Sequence, residues 1–416
     1  MEFVRGEGVH FWDSCGRRYT DLSSQTMNTL LGQRHPAVTA AVGREMDNST
    51  FSDQDFASPL HDGARDALAS LLPPQLEVLN LRINDGSSAV ECAVKQARRA
   101  RGRGKILTIK GIYLGQNNLS IHMRGLGERP MDLLMGGSED IVFAPIPLPD
   151  LSVPFEYADA ENGQALSELI GIHADTLACV VLDPIMVSSG VFGGRGLASL
   201  LRRAAEACQR LKVPLIFDEC QTFGWVPDFT LANHWDIPVD MMALGKGIAG
   251  GLPLAACASR PQFDNLDFGD ADYTNGGHNL SVAACHATCQ FISRSDELSR
   301  FRSVCEAMAG ILEDEIGRRK GLLATRGVGL IRCIEMRPAF ADPVAFCQAL
   351  AKLLMERGIF VRTYGPCIGL KPPRIIEAEQ IVDALGEVFA AVDDLNAGKA
   401  SVRIEAPKPD FSKTTA

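Results

Sequence analysis

Two kinds of apolar run alternate through the middle of this 416-residue chain. Short, nearly continuous runs recur at residues 106–109, 178–182, 213–217, 241–244 and 254–258. Runs of that length without polar alternation read as strands buried on both faces. Between two of them, Leu197, Leu200, Leu201, Ala204, Ala205, Cys208 and Leu211 keep helical spacing. Ala89 to about Arg101 reads as a further helix. This alternation predicts an α/β architecture, a mainly parallel sheet with helices on both faces. The ends of the chain differ from the middle. Residues 8–13 and 19–21 read as a hairpin turning at Cys15-Gly16. Pro36 suits the first turn of a helix running through Met46. From about Asn279 a long helix leads to strands such as 359–363, a smaller α+β unit. After Gly398 the chain is polar and rich in Pro and Lys, which predicts a disordered tail.

Composition narrows the class without naming the chemistry. Hydrophobic residues make up 46% and charged residues 22%, an ordinary globular balance with enough apolar surface for two domains. The net charge of -10 argues against a nucleic-acid partner. No apolar run is long enough to cross a bilayer, and the first residues lack a signal-peptide core, so a cytoplasmic protein is expected. Twelve cysteines are many, but most sit in apolar runs, as Cys179, Cys257 and Cys285 do, and no C-x-x-C pair occurs. They read as small buried hydrophobes in a reducing compartment rather than disulfides or metal ligands.

Chemistry enters at two strand ends. The run 213–217 ends on Asp218 and Glu219, and the run 241–244 leads into Gly245-Lys246-Gly247. A lysine held between glycines at a strand end can be desolvated, which frees its amine to attack a carbonyl. A buried acid on a neighbouring strand can hold a ring nitrogen protonated. Asp218-Glu219-Cys220-Gln221-Thr222, followed by Gly245-Lys246-Gly247-Ile248-Ala249-Gly250-Gly251-Leu252-Pro253, resembles the paired motifs of the class III aminotransferases. The resemblance runs over roughly residues 5–390. It implies a fold type I enzyme dependent on pyridoxal phosphate (PLP), with its pyridoxamine form (PMP) as the intermediate state, and a seven-stranded sheet. Domain bounds follow as 1–44 for an N-terminal part of the small domain, 45–278 for the large cofactor-binding domain, 279–398 for the small domain and 399–416 for the tail. The family also implies a homodimer with active sites at the subunit interface and a small-molecule amine as substrate.

Site roles carry over by position. Lys246 resembles the Schiff-base lysine and Asp218 the acid beneath the pyridine nitrogen. Gln221 resembles the residue that contacts the cofactor's phenolic oxygen. Gly86, Ser87 and Ser88 stand where the family cups the phosphate, although alone they read as a plain helix cap. Tyr113, in Gly111-Ile112-Tyr113-Leu114-Gly115, resembles the aromatic that stacks on the ring, with Leu114 in place of the usual His. Thr274 resembles the threonine that reaches the partner subunit's phosphate. Cys220 replaces an aliphatic residue against the ring; it reads as packing, or alternatively as a thiol able to move a proton. His278 reads as a substrate contact or as a satisfied loop histidine.

Two departures bear on the substrate. Ser188 replaces a family glutamate that acts as a switch partner for an arginine. Gly369, in Ile368-Gly369-Leu370-Lys371-Pro372-Pro373, replaces the arginine that grips an α-carboxylate. Lys371, Arg374 and Arg362 are candidate substitutes. The missing pair points the expectation to an amine without an α-carboxylate, such as an amino sugar. Some relatives tailor aminoglycoside antibiotics in that way, by amino transfer or by epimerisation at an amino-bearing carbon. An ω-amino acid:2-oxo acid aminotransferase with a relocated clamp is the alternative. A non-catalytic PLP-binding protein is a third, against which Lys246, Asp218 and the phosphate cup argue.

Overall fold

A computed structural model describes residues 2–53, 55–102, 104–124, 139–144, 159–190, 195–319, 321–338 and 342–399. The tail beyond 399 lies outside the described residues. Three strands open the chain, β1 (Phe3–Glu7), β2 (His10–Asp13) and β3 (Arg18–Asp21). β2 pairs antiparallel with both neighbours, so the expected hairpin carries one further strand.

Seven strands form the central sheet: β4 (Val78–Ile83), β5 (Lys105–Ile109), β6 (Ile141–Ala144), β7 (Leu177–Leu182), β8 (Leu215–Asp218), β9 (Met241–Leu244) and β10 (Ala255–Ser259), in the order β4-β10-β9-β8-β7-β5-β6. Every residue of β7 through β10 is buried, which is why their sequences show unbroken apolar runs. The sheet is parallel except at β10, which runs antiparallel to β4 and β9. Only residues 245–254 join β9 to β10. A parallel crossover takes a dozen residues or more, so the chain turns back instead. Helices Gly86–Arg101, Asp159–His173 and Arg195–Leu211 belong to this layer, the last two packed on each other. Helix Asn279–Ile292 packs against Pro36–Asn48 and Pro59–Ala69.

The remaining strands are β11 (Leu322–Val328), β12 (Ile331–Met336), β13 (Ile359–Phe360), β14 (Arg362–Tyr364) and β15 (Cys367–Leu370). The single strand expected over 359–363 is two strands in two sheets. β13 pairs parallel with β3, and β14 pairs antiparallel with β15, with buried Val361 at the step between them. All twelve cysteines are free thiols, eleven of them buried and Cys15 exposed. Among the described residues no helix is long and apolar enough to cross a membrane, and no cluster of His, Cys, Asp and Glu is placed to hold a metal ion.

Candidate active site

Parallel strands end on one edge of the sheet, and the segments that follow them meet there. β8 delivers Asp218 opposite Ala243 of β9, and Lys246 follows three residues later. β4 leads to Gly86, β5 to Tyr113 and β7 to Ser188. Together with Thr26, Arg362 and Tyr364 these residues line a cleft of about 370 Å³. That volume lies in the range of small-molecule sites.

Lys246 has a φ of 48°, in the left-handed region that costs a non-glycine residue about 1–2 kcal/mol. Its amine makes no hydrogen bond or ion pair among the described residues. Asp218 faces it across the cleft. One carboxylate oxygen accepts from the Cys220 amide at 3.0 Å. Burial pushes this carboxyl upward, and the charge of Lys246 pulls it back. A second buried acid stands beside it. Asp183 accepts from the amides of Ile185 and Met186 at 3.1 and 3.0 Å and from Gln221 Nε2 at 3.3 Å. Burial, and then the neighbouring Asp218, push Asp183 up to about 7. Gln221 is thereby held at the cleft wall. Glu219, the other acid of the motif, points away from the site. It accepts from the Ala232 amide at 2.9 Å and from the Thr222 hydroxyl, and so ties down the turn after β8.

Gly86 opens the Gly86–Arg101 helix, which Asp85 caps by accepting from the Ser88 amide at 3.1 Å. The amides at the start of this helix carry the positive end of its dipole toward the cleft. Of the three residues assigned to a phosphate cup, Gly86 and Ser87 line the cleft and Ser88 does not. The Ser88 hydroxyl donates to Asp85 at 2.8 Å and accepts from Asn117 at 3.0 Å, so it braces the turn instead. Glycines let strand end and helix start approach closely. A Cβ at Gly245 would lie 3.3 Å from Gly86 Cα, and one at Gly86 would lie 2.7 Å from Cys220 Sγ.

Cys220 is buried between these glycines and Asp218. Burial, followed by the charge of Asp218, pushes its thiol well above the ordinary range. A thiol so placed stays protonated near neutral pH. Tyr113 is half-buried, with the Arg124 guanidinium 4.8 Å from its ring centroid. Leu114 lines the cleft in the place of the family's histidine. Thr274 is exposed and lies outside the cleft. His278 caps helix Asn279–Ile292, its Nδ1 accepting from the Leu280 amide at 3.3 Å, and it does not line the cleft.

The three candidate substitutes for the carboxylate arginine separate. Arg374 is fully buried, paired with Glu297 at 3.2 Å and stacked 3.6 Å from the Phe301 centroid, away from the cleft. Lys371 is buried behind Tyr364 and donates to its hydroxyl. Arg362 reaches the cleft.

Two cleft residues carry no sequence signal. Thr26 belongs to a four-residue run, Ser24 to Met27, with φ of 48°, 47°, 66° and 66°. Asp21 holds this turn by accepting from the Ser23 and Gln25 amides at 2.8 and 3.0 Å, and the Ser24 hydroxyl donates to the Lys371 carbonyl at 2.6 Å. Without a glycine, nothing in the run announces left-handed backbone. Tyr364 reads as an ordinary strand residue.

The chain matches the family model described as aminotransferase class-III over residues 1–392. It is 27% identical over 389 residues to a [LysW]-aminoadipate semialdehyde/glutamate semialdehyde transaminase of Sulfolobus acidocaldarius, covering 92% of each chain. It is 29% identical over 396 residues to an acetylornithine aminotransferase of Mycolicibacterium smegmatis, covering 94% of each. Its fold matches that of a taurine:2-oxoglutarate aminotransferase from Bifidobacterium kashiwanohense, solved in complex with PLP and glutamate. The TM-score is 0.86 at 22% identity, over 95% of this chain and 93% of that one.

Proposed function

Because this chain belongs to the class-III aminotransferase family and is a fold type I, PLP-dependent enzyme, we propose that it transfers an amino group between a small-molecule amine and a 2-oxo acid, with Lys246 as its cofactor lysine. The observation that carries this reading is the uncommitted Lys246 amine sharing one cleft with the buried carboxyl of Asp218. The residues present fit the cofactor. The glycine contact of Gly86 with Gly245 leaves a cradle that side chains would fill, the helix start offers amides to an anion, and Asp218 is a buried acid in want of a cation.

Bound PLP supplies a carbonyl that condenses with amines and a pyridinium ring that draws electrons from the substrate carbon. The protein does the rest. Asp218 keeps a proton on the ring nitrogen. Gln221, fixed by Asp183, offers hydrogen bonds at the ring's edge. Gly86 and Ser87 would hold the phosphate, and Thr274 of a second copy would complete the cup in a homodimer. Tyr113 and Cys220, which line the cleft, would flank the ring. Lys246 Nζ is the base that takes the proton from the amine-bearing carbon. Epimerisation would need a second proton carrier on the face away from Lys246.

A second reading, an amine without an α-carboxylate such as an amino sugar, rests on Gly369 and Ser188, which replace the two members of the usual carboxylate device. The relatives named above are transaminases of semialdehydes and acetylornithine, which favours the first reading.

Lys246→Ala is expected to abolish the borohydride-sensitive visible absorbance and all amino transfer, while Cys220→Val retains both. Persistence of that absorbance in the Lys246 variant would remove the assignment. In deuterated water, label entering recovered amine with inverted configuration and no 2-oxo acid dependence would decide for epimerisation.

A further inference from the structure

We infer that Arg362 is the residue that grips a substrate carboxylate in this cleft, entering from β14 across the strand position that Gly369 leaves bare. The inference deepens the amino-transfer reading and rests on it.

The strand register carries the argument. β14 and β15 are antiparallel, and Arg362 stands directly opposite Gly369. Residues opposite each other in an antiparallel pair project to the same face, with Cβ positions about 5 Å apart. Gly369 contributes no side chain there, so nothing on β15 stands directly against Arg362, and the pair Tyr364 and Cys367 shares its face one step along. Arg362 lines the same cleft as Lys246 and Ser188.

Among the described residues its charge has no partner. Arg362 makes no ion pair or hydrogen bond among the described residues. Its neighbours differ: Arg326 is paired with Glu335, and Arg374 with Glu297. The charge of Arg362 is felt by buried Lys371, whose pKa it lowers. The acids of the cleft, Asp85 and Asp218, sit at the cofactor end, on the helix cap and the β8 strand end. A ligand with a carboxylate thus meets its complement at the β14 end. Arginine suits the task because its planar fork binds a carboxylate through two parallel hydrogen bonds. Ser188, a small neutral residue, puts no carboxylate into the cleft at its own position. The clamp would then be permanently open to anions. The ligand class is a 2-oxo acid or an amino acid whose carboxylate reaches β14 while its amine reaches Lys246.

Glutarate tests this, because it has carboxylates but neither amine nor carbonyl and so cannot react. Its binding to PLP-loaded enzyme is measured by calorimetry for wild type, Arg362→Gln and Arg362→Lys, with cofactor content checked by absorbance. Arg362 is exposed, so neither replacement disturbs the core. Glutarate is expected to bind wild type, to bind Arg362→Gln at least tenfold more weakly, and to bind Arg362→Lys with intermediate affinity. The KM for glutamate should rise in the same order while kcat stays within about twofold. Equal glutarate affinity in wild type and Arg362→Gln, or no measurable binding to wild type, overturns the inference. The amino-transfer reading fails separately, if wild type converts no amine with any 2-oxo acid.

Discussion

Lys371 is buried with its amine on the Tyr364 hydroxyl, and it lies in the field of two further cations. Burial first, then Arg362 and Lys246, pull its pKa from 10.5 down to about 7. The sign follows from proton counts. Between pH 7 and 10.5 the unfolded chain holds a proton on this lysine that the folded protein has released, so stability rises with pH across that window. Below pH 7 the charged amine is a full burden on the fold. Lys371→Met should therefore raise the urea midpoint most at pH 6–7, with the gain shrinking toward pH 10.5. A gain independent of pH would mean that packing, not charge, is at stake. Single residues were legible in the sequence where a motif fixed their neighbours, as with Lys246 and Asp218, each next to glycines or an apolar run. They were illegible where a role depends on a remote partner. Nothing near Arg362 in sequence reveals that Gly369 faces it. Ser88, read by position as a phosphate contact, is instead committed to Asp85 and Asn117.

The turn from β9 into Lys246 is built on glycines for a packing reason as much as a conformational one. A Cβ at Gly247 would lie 2.6 Å from the Trp225 ring and 2.9 Å from Leu30 Cβ. Trp225 cannot yield easily, because it is fully buried and its Nε1–H donates to the Pro372 carbonyl at 3.0 Å. Gly247→Ala should cost about 1–3 kcal/mol by overpacking. It should also displace Lys246, lowering cofactor affinity; a melting temperature and cofactor titration matching wild type would contradict this. Elements buried on both faces were the easiest to read, since unbroken apolar runs mark β7, β8 and β9 to within a residue or two. Direction was not readable in the same way. The antiparallel course of β10 comes from the length of its connection, not from its composition. The split of 359–363 comes from two sheets competing for neighbouring backbone, which periodicity within one segment does not register.

At the scale of the whole molecule, the two ends of the chain share a sheet. Phe11 stacks on Tyr19 with centroids 4.9 Å apart and meets Phe360 edge-on at 5.8 Å. The Thr20 amide donates to the Gly358 carbonyl and the Leu22 amide to the Phe360 carbonyl, at 2.8 and 2.9 Å. β13 is only two residues long, yet it is the sole strand joined to β3 on that side. Because β14 follows at once, the N-terminal sheet and the cleft wall that bears Arg362 are coupled through Val361. This pairing is invisible to local pattern and becomes legible only through the family resemblance.

On the ribosome, that arrangement makes β3 wait for β13. Thr20 and Ile359 pair across 339 residues. At ordinary elongation rates the first strands emerge roughly 20–70 s before their partner exists. During that interval β3 has an open edge, with Phe11 lacking the Phe360 contact that later covers it. Nascent chains stalled before residue 357 should be cut by protease within the first 22 residues, while the completed chain resists. Equal protection of both would mean that the opening strands find shelter elsewhere during synthesis.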